Sequence, residues 1–372
     1  MADTIDTIPF NNSTPGTLGV EMEWMSVDID SGQQVPLAPY VFANIDKTPR
    51  IKPELFTSIV EINTSIHNST CHAMQELHLL YKHVDALLLQ KNGALLSSGT
   101  HPVSHWRDQT VSNDARYNRL MQRLQWVARR FNICGIHTHI GMPDGNTCIR
   151  VMNHLLPLMP VFLAISANSP FWHGEKTGLA ASRIKIFEGL SQGGMPFYFA
   201  DWQDFEHCTA RLKATGSIDS VRDIWWEMRP HPDFGTLEVR IGDMPLNDDD
   251  AAAYVAYVRA EAMAAITRTE QLKVHPSLIR ENRWRACRYG IHATIIDPFT
   301  EELSPVLDWL EKRLDQLRMY SIDGKELELI AKRIPVWRIN GGGAQCQRKL
   351  YDTNNDFSAM VQSMREMDGW SS

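Results

Sequence analysis

The chain lacks the features that mark several common protein classes. Its six cysteines, Cys71, Cys134, Cys148, Cys208, Cys287 and Cys346, form no CxxC pair, which argues against a zinc knuckle or a thioredoxin-like redox motif and reads as scattered, reduced thiols. No stretch reaches the roughly 18 uninterrupted apolar residues that a membrane span needs, so no membrane partner is expected. The start, Met1 to Pro15, has neither a basic patch nor an apolar run, and a cytoplasmic location is expected. Positive charge is also short: 37 Lys and Arg against 44 Asp and Glu give −7, which argues against general nucleic-acid binding. The triplet Gly341-Gly342-Gly343 lacks the Lys-Ser/Thr of a P-loop and reads as a flexible loop. There is no repeat and no low-complexity tract.

The chain does carry four short segments in which acids, imidazoles or guanidines alternate with apolar residues. They are Gly19-Val20-Glu21-Met22-Glu23-Trp24, Ile59-Val60-Glu61-Ile62-Asn63, Ile136-His137-Thr138-His139-Ile140 and Leu237-Glu238-Val239-Arg240-Ile241. Side chains on a strand alternate between faces, so Glu21 shares a face with Glu23, His137 with His139, and Glu238 with Arg240, each pair about 6.5 Å apart along its strand. Were the four strands to lie in one sheet, their polar faces would merge into a single acidic floor. Carboxylates gathered in that way repel unless cations sit among them, and oxygen ligands with one or two imidazoles suit Mg²⁺ or Mn²⁺. Mg²⁺ commonly completes its shell with phosphate oxygens, which points to nucleotide chemistry.

Each residue also has a plainer reading. An isolated Glu-x-Glu is usually a solvated sheet face, His-x-His occurs on many surface strands, and Glu61 or Glu54 alone could be structural. Arg229 lies just before the last strand, where a loop could reach a polyphosphate or where the residue could simply form a surface salt bridge. Arg116 reads as a helix-start ion pair, and Arg183 as a buried ion pair or a carboxylate binder.

Around these strands, helices are expected near 70–91, 112–131, 147–167, 205–214, 218–228, 247–273, 277–290, 303–318, 324–334 and 355–367, with a further strand at 94–98. Asn247 before Asp248, Asp249 and Asp250 is a strong helix start. The size, 372 residues with 43% hydrophobic content, supports one extended domain or two merged ones. The fold class read from this is α+β, an antiparallel sheet with helices on its other face. Residues 1–14 are expected to be a flexible terminus, and 15–372 a single catalytic domain with C-terminal helices.

The ordered series Thr17-Leu18-Gly19-Val20-Glu21-Met22-Glu23, Ser98-Gly99-Thr100-His101-Pro102, Asn113-Asp114-Ala115-Arg116-Tyr117, Gly135 to Gly141, Ala167-Asn168-Ser169-Pro170, Arg229 to Arg240 and Arg285 to Gly290 resembles the YbdK-type carboxylate-amine ligases. These are relatives of glutamate-cysteine ligase and glutamine synthetase. The resemblance implies a glutamine-synthetase-like curved antiparallel sheet forming an open funnel, with helices on its outer face. It further implies a metal site of Glu21, Glu23, Glu61, His137 and Glu238, and a nucleotide site with His139, Arg229 and Arg240. The two arginines act in catalysis on this reading, and Glu54, at a place where relatives can carry a different acid, is not counted among the ligands. ATP with Mg²⁺ (or Mn²⁺), an amino-acid carboxylate and an amine are the implied ligands, with glutamate and L-cysteine as the expected pair and a homodimer as the expected assembly. Two other classes fit parts of the pattern: a metal-dependent hydrolase built on His-x-His, and a non-catalytic nucleotide or metal sensor.

Overall fold

The structure is a computed structural model and describes residues 7–268, 272–320 and 322–370. Its centre is a seven-stranded antiparallel sheet. In chain order the strands are β1 (Leu18–Asp28), β2 (Ile51–Pro53), β3 (Ile59–Asn63), β4 (Gly93–Leu96), β5 (Gly135–Gly141), β6 (Met228–His231) and β7 (Thr236–Asp243). Across the sheet they run β6-β7-β5-β1-β3-β2. The long β1 pairs with β5 through Leu18–Met22 and with β4 through Met25–Asp28. All four alternating segments therefore lie in one sheet.

The alternation sets the two faces. On β1, Leu18, Val20, Met22 and Trp24 are at most 1% exposed, and Val60, Ile62, Ile136, Ile140, Leu237, Val239 and Ile241 are equally buried. Burying each such side chain stabilises the fold by roughly 1.5–3 kcal/mol. Helices Thr70–Leu89, Gly145–Leu155, Met159–Ser166 and Asp248–Thr267 pack against the sheet. The run 145–166 is long and apolar enough by composition to cross a membrane, but 94% of its most apolar window is buried inside the protein. The helix Asp248–Thr267 begins as its sequence dictates, with the Asn247 side chain accepting from the Asp250 N–H at 2.8 Å.

Several expected elements differ. The expected helix at 218–228 is replaced by one 3₁₀ turn, Val221–Asp223, followed by Trp225–Trp226 and then β6. Pro230 disfavours continued helix, and β6 lies at the sheet's edge, where a proline costs no ladder bond that matters. The expected helix at 112–131 breaks at Gln125, whose φ of 49° ends Ala115–Leu124 before a short Trp126–Arg129 turn. The helix expected to stop at 334 runs through Pro335 to Asn340.

Gly341–Gly343 is a tight corner rather than a flexible loop. Gly341 takes φ 79° to end one helix, and helix Gly343–Asn354 starts at once, with Gly343 packed so closely on Asn168 that a side chain would clash. At the N-terminal end, the expected loose segment 1–14 is held down over residues 7–14. The Asn11 N–H donates to Pro232 O, the Ser13 N–H donates to Met142 O, and Phe10 packs on Trp202. Residues 1–6 lie outside the described residues.

Candidate functional site

Register brings the polar residues of separate strands side by side. Glu21 stands opposite His137 on β5 and Asn63 on β3; Glu23 stands opposite Glu61; and Glu238 stands opposite His139 on one side and Arg229 on the other. Directly opposed residues point to the same face. The result is a polar floor, opposite the apolar face, built from two groups of ligand-bearing side chains.

One group holds Glu21, His139 and Glu238, whose ligand atoms lie within 4.8 Å of one another. His139 Nε2 is 3.5 Å from Glu21 Oε1 and 3.9 Å from Glu238 Oε1, while its Nδ1 lies 3.0 Å from the Thr236 hydroxyl. His137 Nδ1 approaches the same carboxylates, at 3.3 Å and 4.0 Å. The structure thus places both imidazoles against the acids, including His139, which the resemblance gave to the nucleotide site.

Glu238, 1% exposed, is the hub of the positive charge. It accepts from Arg229 Nε at 2.7 Å and from Arg240 Nη1. Burial raises the Glu238 carboxyl, but Arg229 and Arg240 outweigh it and hold it well below the usual carboxylate range. Burial likewise raises Glu21, and His137 and His139 reverse it, again to well below that range. Burial and the Arg240 charge push His137 down to about 4, so that it stays neutral with a lone pair to offer. His139 is shifted the other way, the pull of Glu238 and Glu21 overcoming its burial.

The second group is Glu23, Glu54 and Glu61, also within 4.8 Å of one another. Each carboxyl is raised chiefly by burial; Glu61 and Glu23 drive Glu54 further, to well above its usual value, and Glu21 and Glu23 add to Glu61. Compensation is thin. Lys52 reaches Glu61 at 3.5 Å, the Asn63 amide donates to it at 2.7 Å, and the Gly135 N–H donates to Glu23 at 2.7 Å. Three crowded carboxyls raised by burial, Glu23 in spite of the pull of Arg183 and Arg240, form an all-oxygen donor set that fits a hard divalent cation such as Mg²⁺ or Mn²⁺.

Glu54 is therefore a full member of the cluster. It sits just past β2 and off the alternating strands, so its position depends on tertiary packing that no local pattern displays. Arg229 is not in a reaching loop: it lies in β6, 8% exposed, with Nη1 donating to the carbonyls of Arg222 and Ile224. Arg116 lies over the Tyr117 ring at 5.9 Å instead of in the expected helix-start ion pair. Arg183, on the short helix Arg183–Phe187, is 1% exposed and lies behind Gly135, where a side chain on the glycine would strike its guanidinium.

Two hollows open on this floor. The smaller, with about 560 Å³ of empty space counting its mouth, is lined by Glu23, Glu54, His137, Arg183, Trp225 and Arg240 together with apolar side chains. The larger, about 1400 Å³ counted the same way, takes in Glu21, His139, Arg50, Lys52, Asn63 and Thr236. The acids stand between them.

An antiparallel sheet backed by helices, with buried acids, imidazoles and guanidines on its open face, defines a class that comparison with solved structures makes concrete. The fold is that of glutamate–cysteine ligase from Francisella tularensis in complex with AMP, with a TM-score of 0.71 at 12% identity over 96% of this chain and 89% of that one. It is also that of a bifunctional glutathione synthetase from Pasteurella multocida, at TM-score 0.70 and 12% identity over 94% of this chain and 52% of that one. The profile of glutamate-cysteine ligase family 2 matches residues 17–368, and the chain belongs to that family. Relatives provisionally named glutamate–cysteine ligase 2 are 38% identical in Gloeobacter violaceus, covering 95% of this chain and 97% of the relative, and 37% identical in Bdellovibrio bacteriovorus, covering 96% of each.

Proposed function

We propose that the chain is an ATP-dependent carboxylate–amine ligase that forms an amide through an acyl phosphate. Glutamate and L-cysteine, the pair in the relatives' names, are the substrates from which this reading starts; they would give γ-glutamylcysteine, ADP and phosphate. The observation that carries it is the convergence of Glu21, Glu23, Glu54, Glu61, Glu238, His137 and His139 on one face, between two hollows and beside two buried arginines. Two hollows sharing one acid floor suit a reaction that joins two ligands, which neither a hydrolase nor a sensor requires.

A carboxylate oxygen is a poor leaving group, whereas phosphate is a good one. Transfer of the γ-phosphoryl group to the carboxylate therefore prepares the carbonyl for attack. The amine nitrogen then forms the C–N bond while the C–O bond to phosphate breaks. Of the two protons the ammonium loses, one leaves on phosphate and one passes to water. Divalent cations held by Glu23, Glu54 and Glu61, and by Glu21, Glu238 and an imidazole, would neutralise the polyphosphate.

The protein's own part is placement and charge. The larger cleft suits the nucleotide, with Arg50 and Lys52 in its wall. Arg240 presents a guanidinium edge to the floor, and Glu238 fixes it by an ion pair. Arg229, bonded to Glu238 and to two backbone carbonyls, orients Glu238. Covalent catalysis by cysteine is not needed, and burial pushes the thiol of Cys134, which feels the charges of Glu23 and Glu54, upward and away from reactivity. We read the acid-bearing face as the inner wall of a funnel and the location as cytoplasmic, consistent with six free thiols. The test is ADP release from Mg²⁺ and ATP with L-glutamate and a panel of amines. Release that requires both a carboxylate and an amine supports the proposal, and ATP binding without turnover would leave only the sensor.

A further inference from the structure

The larger hollow has a cavity volume of about 690 Å³, and β1 gives it a direction. From Glu21 the polar face continues through Gly19 to Thr17, and all three residues line the hollow. Four residues of extended chain cover about 13 Å, which is comparable to the reach of an extended nucleoside triphosphate from its terminal phosphate to its base. Phosphates held over Glu21 therefore put the base near Thr17.

Two pieces of chain close the wall at that end. One is the turn 232–235 between β6 and β7, and the other is the strap 11–13, which crosses it. The strap is pressed down where glycines leave room. A side chain on Gly141 would strike Thr17, Thr14 and Ser13, and one on Gly235, at φ 64°, would strike Asn11. The Asn11 amide donates to Asp233 O at 2.7 Å, and the Ser13 hydroxyl donates to Phe234 O at 2.7 Å. The strap lies before residues 17–368, the span that the family profile matches, so family membership does not by itself supply this wall.

Phe234 stands in the turn, 52% exposed yet firmly placed. Its ring lies parallel to that of His231, with centroids 4.1 Å apart and planes within 5°, and meets the His139 ring edge to face at 5.9 Å. His231 lines a separate hollow with Arg229 and Lys213, whereas Phe234 lines the larger one. The stacked pair is thus a partition, and Phe234 turns its second face to the larger hollow. Among the described residues, His231 is the only ring stacked on Phe234. A ring already ordered by its neighbours loses little freedom when a ligand covers it, and a nucleobase is a flat ligand that stacks on aromatic side chains.

We propose that Phe234 is the stacking platform for the base of the nucleotide, backed by His231 and pinned by the strap 11–13. This rests on the ligase reading, which puts the nucleotide in the larger hollow, and it names the group that grips the base.

The test is calorimetry on the full chain with Mg²⁺, using ADP and inorganic tripolyphosphate as separate ligands. Phe234→Ala should weaken ADP binding about ten- to a hundredfold and leave tripolyphosphate binding unchanged, because only ADP carries a base. Phe234→Trp keeps an aromatic face and should bind ADP nearly as wild type does. Phe234→Leu keeps apolar bulk without that face and should bind ADP weakly.

ADP binding that Phe234→Ala leaves intact, or an equal loss of ADP and tripolyphosphate, overturns the platform while the ligase reading stands. Full ADP affinity in Phe234→Leu also overturns it, since general apolar contact would then suffice. If the wild-type chain binds no ADP, the ligase reading falls and the platform falls with it.

Discussion

Replacing Glu54 by glutamine should stabilise the protein in the absence of metal, although it removes a residue from the centre of the site. Glu54, Glu23 and Glu61 lie within 4.8 Å of one another. Two unit charges at that separation repel by roughly 3 kcal/mol at an effective dielectric of about 20. All three carboxyls are raised, and Glu54 is raised furthest, by burial first and then by Glu61 and Glu23. An acid whose folded pKa exceeds its unfolded value contributes stability that is intact below the unfolded pKa, near 4.3, and is lost as pH rises through the folded pKa.

Glutamine removes that loss and can still donate a hydrogen bond to Glu61. We expect Glu54→Gln without metal to match wild type near pH 4 and to exceed it by about 1–2 kcal/mol at pH 8, read by urea unfolding with chelator present. Mg²⁺ should then stabilise wild type and do much less for Glu54→Gln, so that the order reverses. If the variant without metal were less stable than wild type at pH 8, or if Mg²⁺ stabilised both equally, the crowded-acid account would be wrong.

Glu238→Gln should behave in the opposite way. It strands two buried guanidines, and breaking a buried pair from one side costs about 3–5 kcal/mol, so urea unfolding should show a large loss of stability along with lost turnover. Because the Glu238 carboxyl is held low, its contribution is present at neutral pH and fades as pH falls below about 4. Arg240→Lys keeps the charge but not the planar fork and should lower kcat by at least about a hundredfold with folding retained by circular dichroism. Gly135→Ala should displace the buried Arg183 guanidinium and lower stability by about 1–3 kcal/mol in urea unfolding. Metal affinity measured by calorimetry should rise with pH to above the usual carboxylate range, since burial raises Glu23, Glu54 and Glu61 and the cation competes with protons for them.

The parts of this site that alternate with apolar residues were legible before any coordinates, because a strand's two-residue period ties each polar side chain to a buried neighbour. Glu21, Glu23, Glu61, His137, His139, Glu238 and Arg240 were all found in that way, and they share one sheet. The curated relatives agree with the family resemblance drawn from the ordered motifs. What escaped was whatever depended on register or on distant chain. Lys52 meets Glu61 only because β2 adds to β3, and Glu54 follows from that placement. Arg183 reaches the hollow from a five-residue helix that carries no strand signal. β6 was hidden because Pro230 and the polar Arg229 and His231 obscure its period, so Arg229 was expected in a loop. The Gly341–Gly343 corner misled because glycine permits close packing as readily as it permits looseness.

The most direct measurement is an anomalous-difference map from crystals of the full chain grown with Mn²⁺ and a non-hydrolysable ATP analogue. The account requires manganese peaks ligated by Glu23, Glu54 and Glu61 and by Glu21 and Glu238, with the analogue's phosphates bridging them from the larger cleft. Nucleotide bound elsewhere, or phosphates over this floor with no manganese among the acids, would contradict it.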